Sequence, residues 1–189
     1  ALVARPNAAF TGMLTVDGRE IAIDGWRGSQ NHNWGSRHTD RYAWGQVAGF
    51  DNAPEAFLEC STAQVRIGPL WSPRLTLLVL RDGNEEIALN GLLQAARAHG
   101  DYDFFNWTID SRSPQARLHG RIEAPASAFV GLNYLSPPGG AKTYLNSKLA
   151  AAEFTLERPG RPAKTFCTRS RAAFEILTDR RDHGVRIVA

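Results

Sequence analysis

The amino-acid sequence predicts an all-β protein, a closed antiparallel barrel or strongly curved sheet of about ten strands. Strand-like alternation recurs along the chain, and turn pairs separate the runs, among them Asp17-Gly18, Asp82-Gly83 and Pro159-Gly160. The chain holds five Trp, nine Phe and four Tyr residues, and aromatic side chains suit a pleated, half-buried surface. No segment has a convincing pattern of a long helix that could cover the sheet. So many strands can then bury their apolar faces and edges only if the sheet closes into a barrel or stacks on a second sheet.

The individual strands follow from alternation and from the turn residues that bound them. They are predicted at 10–16, 19–24, 41–50, 55–67, 75–80, 86–98, 102–110, 116–123, 129–135, 143–157, 164–169 and 172–178. The run 86–98 is ambiguous because its Ala-Ala-Arg-Ala would suit a helix, and we interpret it as a strand from its context. No repeat or interior linker divides the chain, so residues 1–189 are expected to form one domain.

Composition excludes several functions. The formal net charge is only +3 and the basic residues are scattered, which argues against a nucleic-acid partner. No apolar stretch approaches the roughly 20 residues of a membrane span. The chain opens with Ala-Leu-Val-Ala-Arg-Pro, without a signal-peptide pattern or an initiator Met, so it is either processed or one piece of a longer polypeptide. A cytoplasmic location is expected.

The two cysteines and the histidines do not suggest a cofactor. Cys60 and Cys167 fit no metal spacing, and they are either two unpaired thiols or one long-range disulfide. His32 and His38 lie six residues apart, and no further cluster supplies a third ligand. We therefore expect no metal site and no cofactor.

The segment 25–46 is the densest in chemistry. It holds three of the five Trp residues, two of the five His residues and four glycines. Such a density of polar and aromatic groups exceeds what a plain connection between strands requires. Trp34 and Trp44 are expected either to line an apolar cavity or to fill the barrel as core. The predicted ligand-binding residues are Trp26, Gln30, Asn33, Trp34, Tyr42, Trp44 and Gln46.

Three blocks carry a family resemblance. Ser29-Gln-Asn-His-Asn-Trp-Gly35, Tyr42-Ala-Trp-Gly-Gln46 and Tyr144-Leu-Asn-Ser-Lys-Leu-Ala150 resemble sequences of the carotenoid 1,2-hydratase (hydroxyneurosporene synthase) family. The wider lipocalin-like superfamily includes tocopherol cyclase and fungal Diels–Alderases. The resemblance implies a lipocalin-like barrel, the second of two in tandem, so that a sister barrel or a homodimer is an expected partner.

The resemblance also implies where catalysis would occur. In the hydratases, a Tyr and an Asp before Asn-Trp-Gly are implicated in protonating an alkene, and Ser29 and Asn31 occupy these positions here. Neither replaces the lost groups, because Asn cannot act as an acid and Ser has no aromatic face. His32 is the substitute acid or base, so His32 and Asn31 are the predicted catalytic residues. Asp40 and Asp103 are candidate partners for His32.

The expected function is binding of an apolar small molecule, terpenoid or polyketide-like, in a barrel cavity. Cofactor-free hydration, cyclisation or isomerisation would then be the reaction. Two alternatives stay open: a non-catalytic carrier of hydrophobic ligands, and a structural half that packs against a sister barrel.

Overall fold

A computed structural model of the chain describes residues 2–32, 39–135 and 141–188. Its strands are β1 (Leu2–Val16), β2 (Arg19–His32), β3 (Arg41–Ala48), β4 (Phe57–Gln64), β5 (Arg66–Ile67), β6 (Leu70–Trp71), β7 (Leu75–Asp82), β8 (Glu85–Leu89), β9 (His99–Asp103), β10 (Asn106–Arg112), β11 (Arg117–Glu123), β12 (Val130–Leu135), β13 (Ala141–Arg158) and β14 (Arg161–Thr178). One α-helix, α1 (Leu92–Arg97), and a short 3₁₀ helix (Ala126–Ala128) accompany them.

Ten strands form one curved antiparallel sheet, the main sheet. Nine of them follow the order β8-β7-β4-β3-β14-β13-β11-β10-β9, and β12 pairs with the first part of β13. Hairpins join most neighbours, which explains why turn pairs predict so many boundaries. The predicted fold class, an all-β lipocalin-like curved sheet, is confirmed.

Large side chains fill the space that the main sheet encloses. Trp107 is fully buried and stacks on Phe174, with ring centroids 6.0 Å apart. Phe129 meets the same Phe174 ring edge-on at 5.5 Å. In a small barrel the side chains are enough to occupy the interior. The concave side of this sheet is therefore a packed core.

Strand β9, at one edge of the main sheet, approaches β4 and β7 near the other edge, beside a buried threonine pair. The Thr62 and Thr76 hydroxyls lie 2.9 Å apart, and the Trp107 indole donates to Thr62 at 3.2 Å. A Cβ on Gly100 of β9 would lie within 2.3 Å of both threonine hydroxyls, so only glycine permits this approach. Helix α1 packs on β7 and β10.

Strands β1 and β2 form a separate two-stranded hairpin, which we call the arm (residues 2–32). Asn7 donates to the Pro54 carbonyl at 2.9 Å, and Arg27 pairs with Glu55 at 3.1 Å, so the base of the arm is attached to the β3–β4 connection. Towards its turn the arm is exposed, and Met13 and Val16 show 62% and 46% of their surface. The arm adds length to the molecule without joining the core.

Several predicted boundaries are wrong. Strand β1 begins at Leu2 rather than at residue 10, and the run 55–67 is divided between β4 of the main sheet and β5 of a separate two-stranded sheet. The run 86–98 is a strand followed by helix α1, because Leu92–Arg97 are good helix formers and bury only Ala95. The run 102–110 is two strands joined at Phe105, which has a positive φ of 76° and no glycine to mark it. The runs 164–169 and 172–178 form one strand, β14, with a register shift between them. Residues 25–32, interpreted as a connection, continue β2.

Both cysteines are free thiols in the structure, Cys60 buried and Cys167 half-buried. Burial raises the pKa of the Cys60 thiol well above its usual value. Across the described ranges, no helix is long and apolar enough to cross a membrane.

Candidate functional site

The two faces of β3 have opposite surroundings. Ala43 and Val47 are fully buried, and a Cβ on Gly45 would meet Ile122 and Trp107, so these positions face the core. Tyr42 and Trp44 alternate with them and point to the outer face of the main sheet. The expectation that they face the barrel interior is wrong. Sequence alternation separates the two sets correctly but does not say which set faces inward.

Part of the outer face lies under the arm, where a groove of about 840 Å³ opens between the arm and strands β3, β13 and β14. We call it the arm groove. Four predicted site residues line it: Trp26 and Asn31 from the arm, and Trp44 and Gln46 from β3. Lys148 and Arg171 contribute positive charge to its walls. The groove thus combines indole surfaces with amide and cationic groups.

Gln46 is the most buried polar residue of the arm groove, with 7% of its surface exposed. Its side-chain carbonyl accepts a short hydrogen bond from the Ser29 hydroxyl of the arm. Its Nε2 group is buried and has no hydrogen-bond partner among the residues that the structure describes. Leaving such a donor unpaired costs about 1–3 kcal/mol, so an acceptor at this place would be favourable.

Next to the arm groove lies a second group, the tyrosine–glutamate cluster (Tyr42, Tyr144, Asn146 and Glu175). The Tyr42 hydroxyl donates a short hydrogen bond to one Glu175 oxygen, and the Asn146 amide donates to the other at 2.6 Å. Burial, and then the charge of Glu175, raise the pKa of Tyr42, while burial is the main cause of the raised pKa of Tyr144. Two donors thus fix the orientation of the Glu175 carboxylate.

Trp44 connects the arm groove with this cluster. It lies opposite Glu175 in the β3–β14 pairing and lines the groove. Its indole N–H donates to Glu59 on β4 at 3.0 Å, and the Lys148 ammonium lies 5.6 Å from its ring centroid. These contacts fix the ring orientation while leaving the residue partly exposed.

The remaining predicted site residues are not brought into the groove. Gln30 and His32 are exposed near the end of β2 and do not line it. Asn33 and Trp34 lie outside the described residues. The two carboxylates proposed as partners of His32 have other contacts: Asp40 accepts from the Arg66 backbone at 2.8 Å, and Asp103 from Arg180 at 2.8 Å.

Sequence reasoning missed Glu59, Asn146 and Glu175, which reach the site from three other strands. Glu175 had a signal, because it is the one charged residue in the apolar run 172–177. Asn146 lies within the third block of the family resemblance, but its contact with Glu175 depends on the β13–β14 register. A search of the described ranges finds no group of three or more His, Cys, Asp or Glu side chains that could hold a metal ion.

Comparisons with known proteins give distant matches. No protein-family model matches the chain. Two uncharacterized proteins, from two strains of Mycobacterium tuberculosis, are each 26% identical over 166 residues, which cover 85% of this chain and 47% of theirs. The crystal structure of kievitone hydratase from Nectria haematococca aligns with a TM-score of 0.46 and 14% identity, covering 92% of this chain and 51% of that one. The chain therefore spans about half the length of the curated relatives that it matches.

Proposed function

We propose that this chain binds an apolar small molecule, terpenoid or polyketide-like, in the arm groove on the outer face of its main sheet. The resemblance to the carotenoid hydratase family supports the ligand class, and the geometry of the arm groove supports the place. The packed core leaves little room inside, whereas the arm groove has the volume of a small-molecule site.

The observation that carries the proposal is the Gln46 side chain. It is nearly buried between two indole-bearing walls, one of its amide atoms is fixed by Ser29, and its Nε2 donor is left without a partner in the described part of the chain. A ligand that places a hydroxyl or carbonyl oxygen there would satisfy Nε2. Its apolar body would then lie against Trp26 and Trp44.

Titration of tryptophan fluorescence with a panel of isoprenoid alcohols and aromatic polyketides tests the proposal. We expect saturable binding that Trp44→Ala weakens at least about tenfold, since buried aromatic anchors dominate such sites. Trp71→Ala is the matched control, because Trp71 is a partly exposed Trp that does not line the groove.

Gln46→Ala separates the polar contact from the apolar one. It is expected to weaken an alcohol or ketone ligand about tenfold while leaving the parent hydrocarbon unchanged. No saturable binding by the native chain, or equal affinity in the native and Trp44→Ala proteins, would end the proposal.

Catalysis is the extension of this proposal. His32, which follows the groove-lining Asn31 at the end of β2, is the proposed acid or base for cofactor-free hydration, cyclisation or isomerisation of a ligand that extends past Asn31. The Glu175 carboxylate, held next to the groove by Tyr42 and Asn146, adds a group that would stabilise positive charge developing on a bound alkene. The alternative is a non-catalytic carrier that uses the same groove.

Incubation of the panel in D₂O distinguishes enzyme from carrier, because proton-driven reactions fix deuterium in carbon–hydrogen bonds of the product. An enzyme gives labelled products, and His32→Ala and Glu175→Gln lose the label while retaining affinity. A carrier gives no label with the native chain, although its ligands still bind.

The arm favours one further candidate, a structural half that packs against a sister barrel or a second copy. Met13, Leu14 and Val16 are exposed near the arm turn, and the relatives carry about as much chain again. Sedimentation equilibrium of the native chain and of a Leu14→Ser, Val16→Thr variant tests the second copy. A dimer that the variant loses supports it, whereas a monomer at all concentrations that binds ligand normally contradicts it.

A further inference from the structure

A second cavity lies at one end of the main sheet, where β3 and β7 begin and β4, β9 and β14 end. This end cavity has a volume of about 180 Å³. Three guanidinium groups reach it from separate segments, namely Arg41, Arg74 and Arg180. Ile176, whose side chain is buried on the core side, also lines it. The cavity therefore has a rim of arginine and aspartate side chains and an apolar wall.

Each guanidinium is held in place by an aromatic ring and an aspartate. Arg41 lies 4.3 Å from the centroid of Trp71 and 3.0 Å from Asp179. Arg180 lies 4.2 Å from the centroid of Phe104 and binds Asp182 through two nitrogens, at 3.0 and 2.7 Å. Such contacts orient the planar groups before any ligand arrives.

Arg74 completes the set. It lies 5.3 Å from the centroid of Tyr102 and forms a short ion pair with Asp101. Its NH1 group also donates to the backbone carbonyl of Gly100 at 3.3 Å, so it is tied to the strand opposite. The three guanidinium groups are thus held around the cavity by contacts within the protein.

One donor of these guanidinium groups is left over. The Nε of Arg41 is buried and has no hydrogen-bond partner among the described residues. A buried, unpaired donor on a charged group is costly, and an acceptor in the cavity would relieve that cost. The guanidinium fork suits a carboxylate or a phosphate, which can take two parallel hydrogen bonds.

Net charge does not attract the ligand to this cavity, because the three arginines pair with four aspartates, Asp101, Asp103, Asp179 and Asp182. An anion would therefore bind through the hydrogen-bond donors that these ion pairs leave unused, above all the Nε of Arg41. The hydrogen bond from Arg41 also lowers the pKa of Asp179, so this carboxylate stays ionised and occupied near neutral pH.

We propose that the end cavity is a binding site for a compact oxyanion, a small carboxylate or a phosphate, held by Arg41 and Arg74. The volume is that of about six water molecules, so a short-chain acid or a phosphate group fits but a polyene does not. This site is separate from the arm groove, and neither proposal depends on the other.

Isothermal titration calorimetry of the whole chain with inorganic phosphate, and separately with propionate, tests the site. Sodium chloride at matched ionic strength controls for screening. Saturable heat with either anion supports the proposal, and comparison of the two separates phosphate from carboxylate recognition. No saturable heat with either anion beyond chloride would overturn it.

Two variants locate the binding. Arg41→Gln removes the leftover donor and is expected to weaken the anion at least about tenfold. Gln64→Glu keeps the side-chain shape on the cavity wall and adds a negative charge, so it should also abolish binding. Arg81→Gln, an exposed arginine on β7 that does not line the cavity, is the control. Affinity unchanged in both Arg41→Gln and Gln64→Glu would overturn the assignment.

Discussion

The inner and outer faces of β3 are formed by alternate residues of one eight-residue strand, and their surroundings differ. On the inner face, Gly45 leaves room for Ile122 and Trp107, and most of the neighbours are apolar and tightly packed. On the outer face, Trp44 and Gln46 contact carboxylate, amide and ammonium groups and keep unused hydrogen-bonding capacity. The inner face therefore determines stability, whereas the outer face offers the chemistry for binding.

The sharpest test of this contrast compares one tryptophan from each side. Trp107→Ala removes a fully buried ring and its hydrogen bond to Thr62, and should cost about 3–5 kcal/mol in the free energy of unfolding. Trp44→Ala loses a half-exposed ring and the bond to Glu59, and should cost only about 1 kcal/mol. Urea denaturation measures both. Equal losses would mean that the outer face belongs to the core.

A smaller effect is expected where the inner face leaves no space. The Cβ of Gly45→Ala would lie 2.4 Å from Ile122 Cδ1 and 3.1 Å from Trp107, so overpacking should destabilise the fold by about 1–3 kcal/mol. Ile122→Val removes the nearer atom, and the double variant should recover part of the loss. If the two losses simply add in a thermal unfolding series, this steric explanation is wrong.

The weakest expected effect belongs to the outer face and appears only at alkaline pH. Because the pKa of Tyr42 is raised on folding, the folded chain keeps a proton that the unfolded chain releases near pH 10. Stability present below pH 10 is therefore lost as pH rises further, by at most about 1.4 kcal/mol per pH unit for this group.

Tyr42→Phe should accordingly reduce the slope of unfolding free energy against pH between pH 9.5 and about 11, a range set by the usual tyrosine pKa. The control is Trp71→Phe, an aromatic substitution at a partly exposed position that changes no titrating group. A slope that is the same in the native and Tyr42→Phe chains would show that Glu175 and burial do not favour the neutral phenol.

The sequence predicts most strands of this fold because turn chemistry is local. Asp17-Gly18 and Asp82-Gly83 mark real hairpins, and alternation separates the two faces of β3 correctly. The turn at Phe105 is not predicted, because a bulky residue there adopts a positive φ that is expected mainly of glycine. Helix α1 is not predicted, because its six residues are too few to show a helical period.

The site is harder to predict than the fold, since it is assembled across strands. Trp26, Asn31, Trp44 and Gln46 are predicted and do line one groove, but as a wall outside the sheet. Which face of a strand is convex depends on the sense in which the whole sheet curves, and no local pattern encodes that. The contact of Glu175 with Asn146 depends on strand register, which only the folded sheet reveals.

The curved sheet has consequences at its rims as well as at its faces. In the described chain its hydrogen-bonded path ends at β8 and β9, and each of these edge strands could accept a strand from a second copy. Glu85 lies on the first edge, and Asp101 and Asp103 lie on the second, each in an ion pair with an arginine. Charged side chains on an edge strand oppose edge-to-edge pairing, so these ion pairs help to protect an open sheet from polymerising.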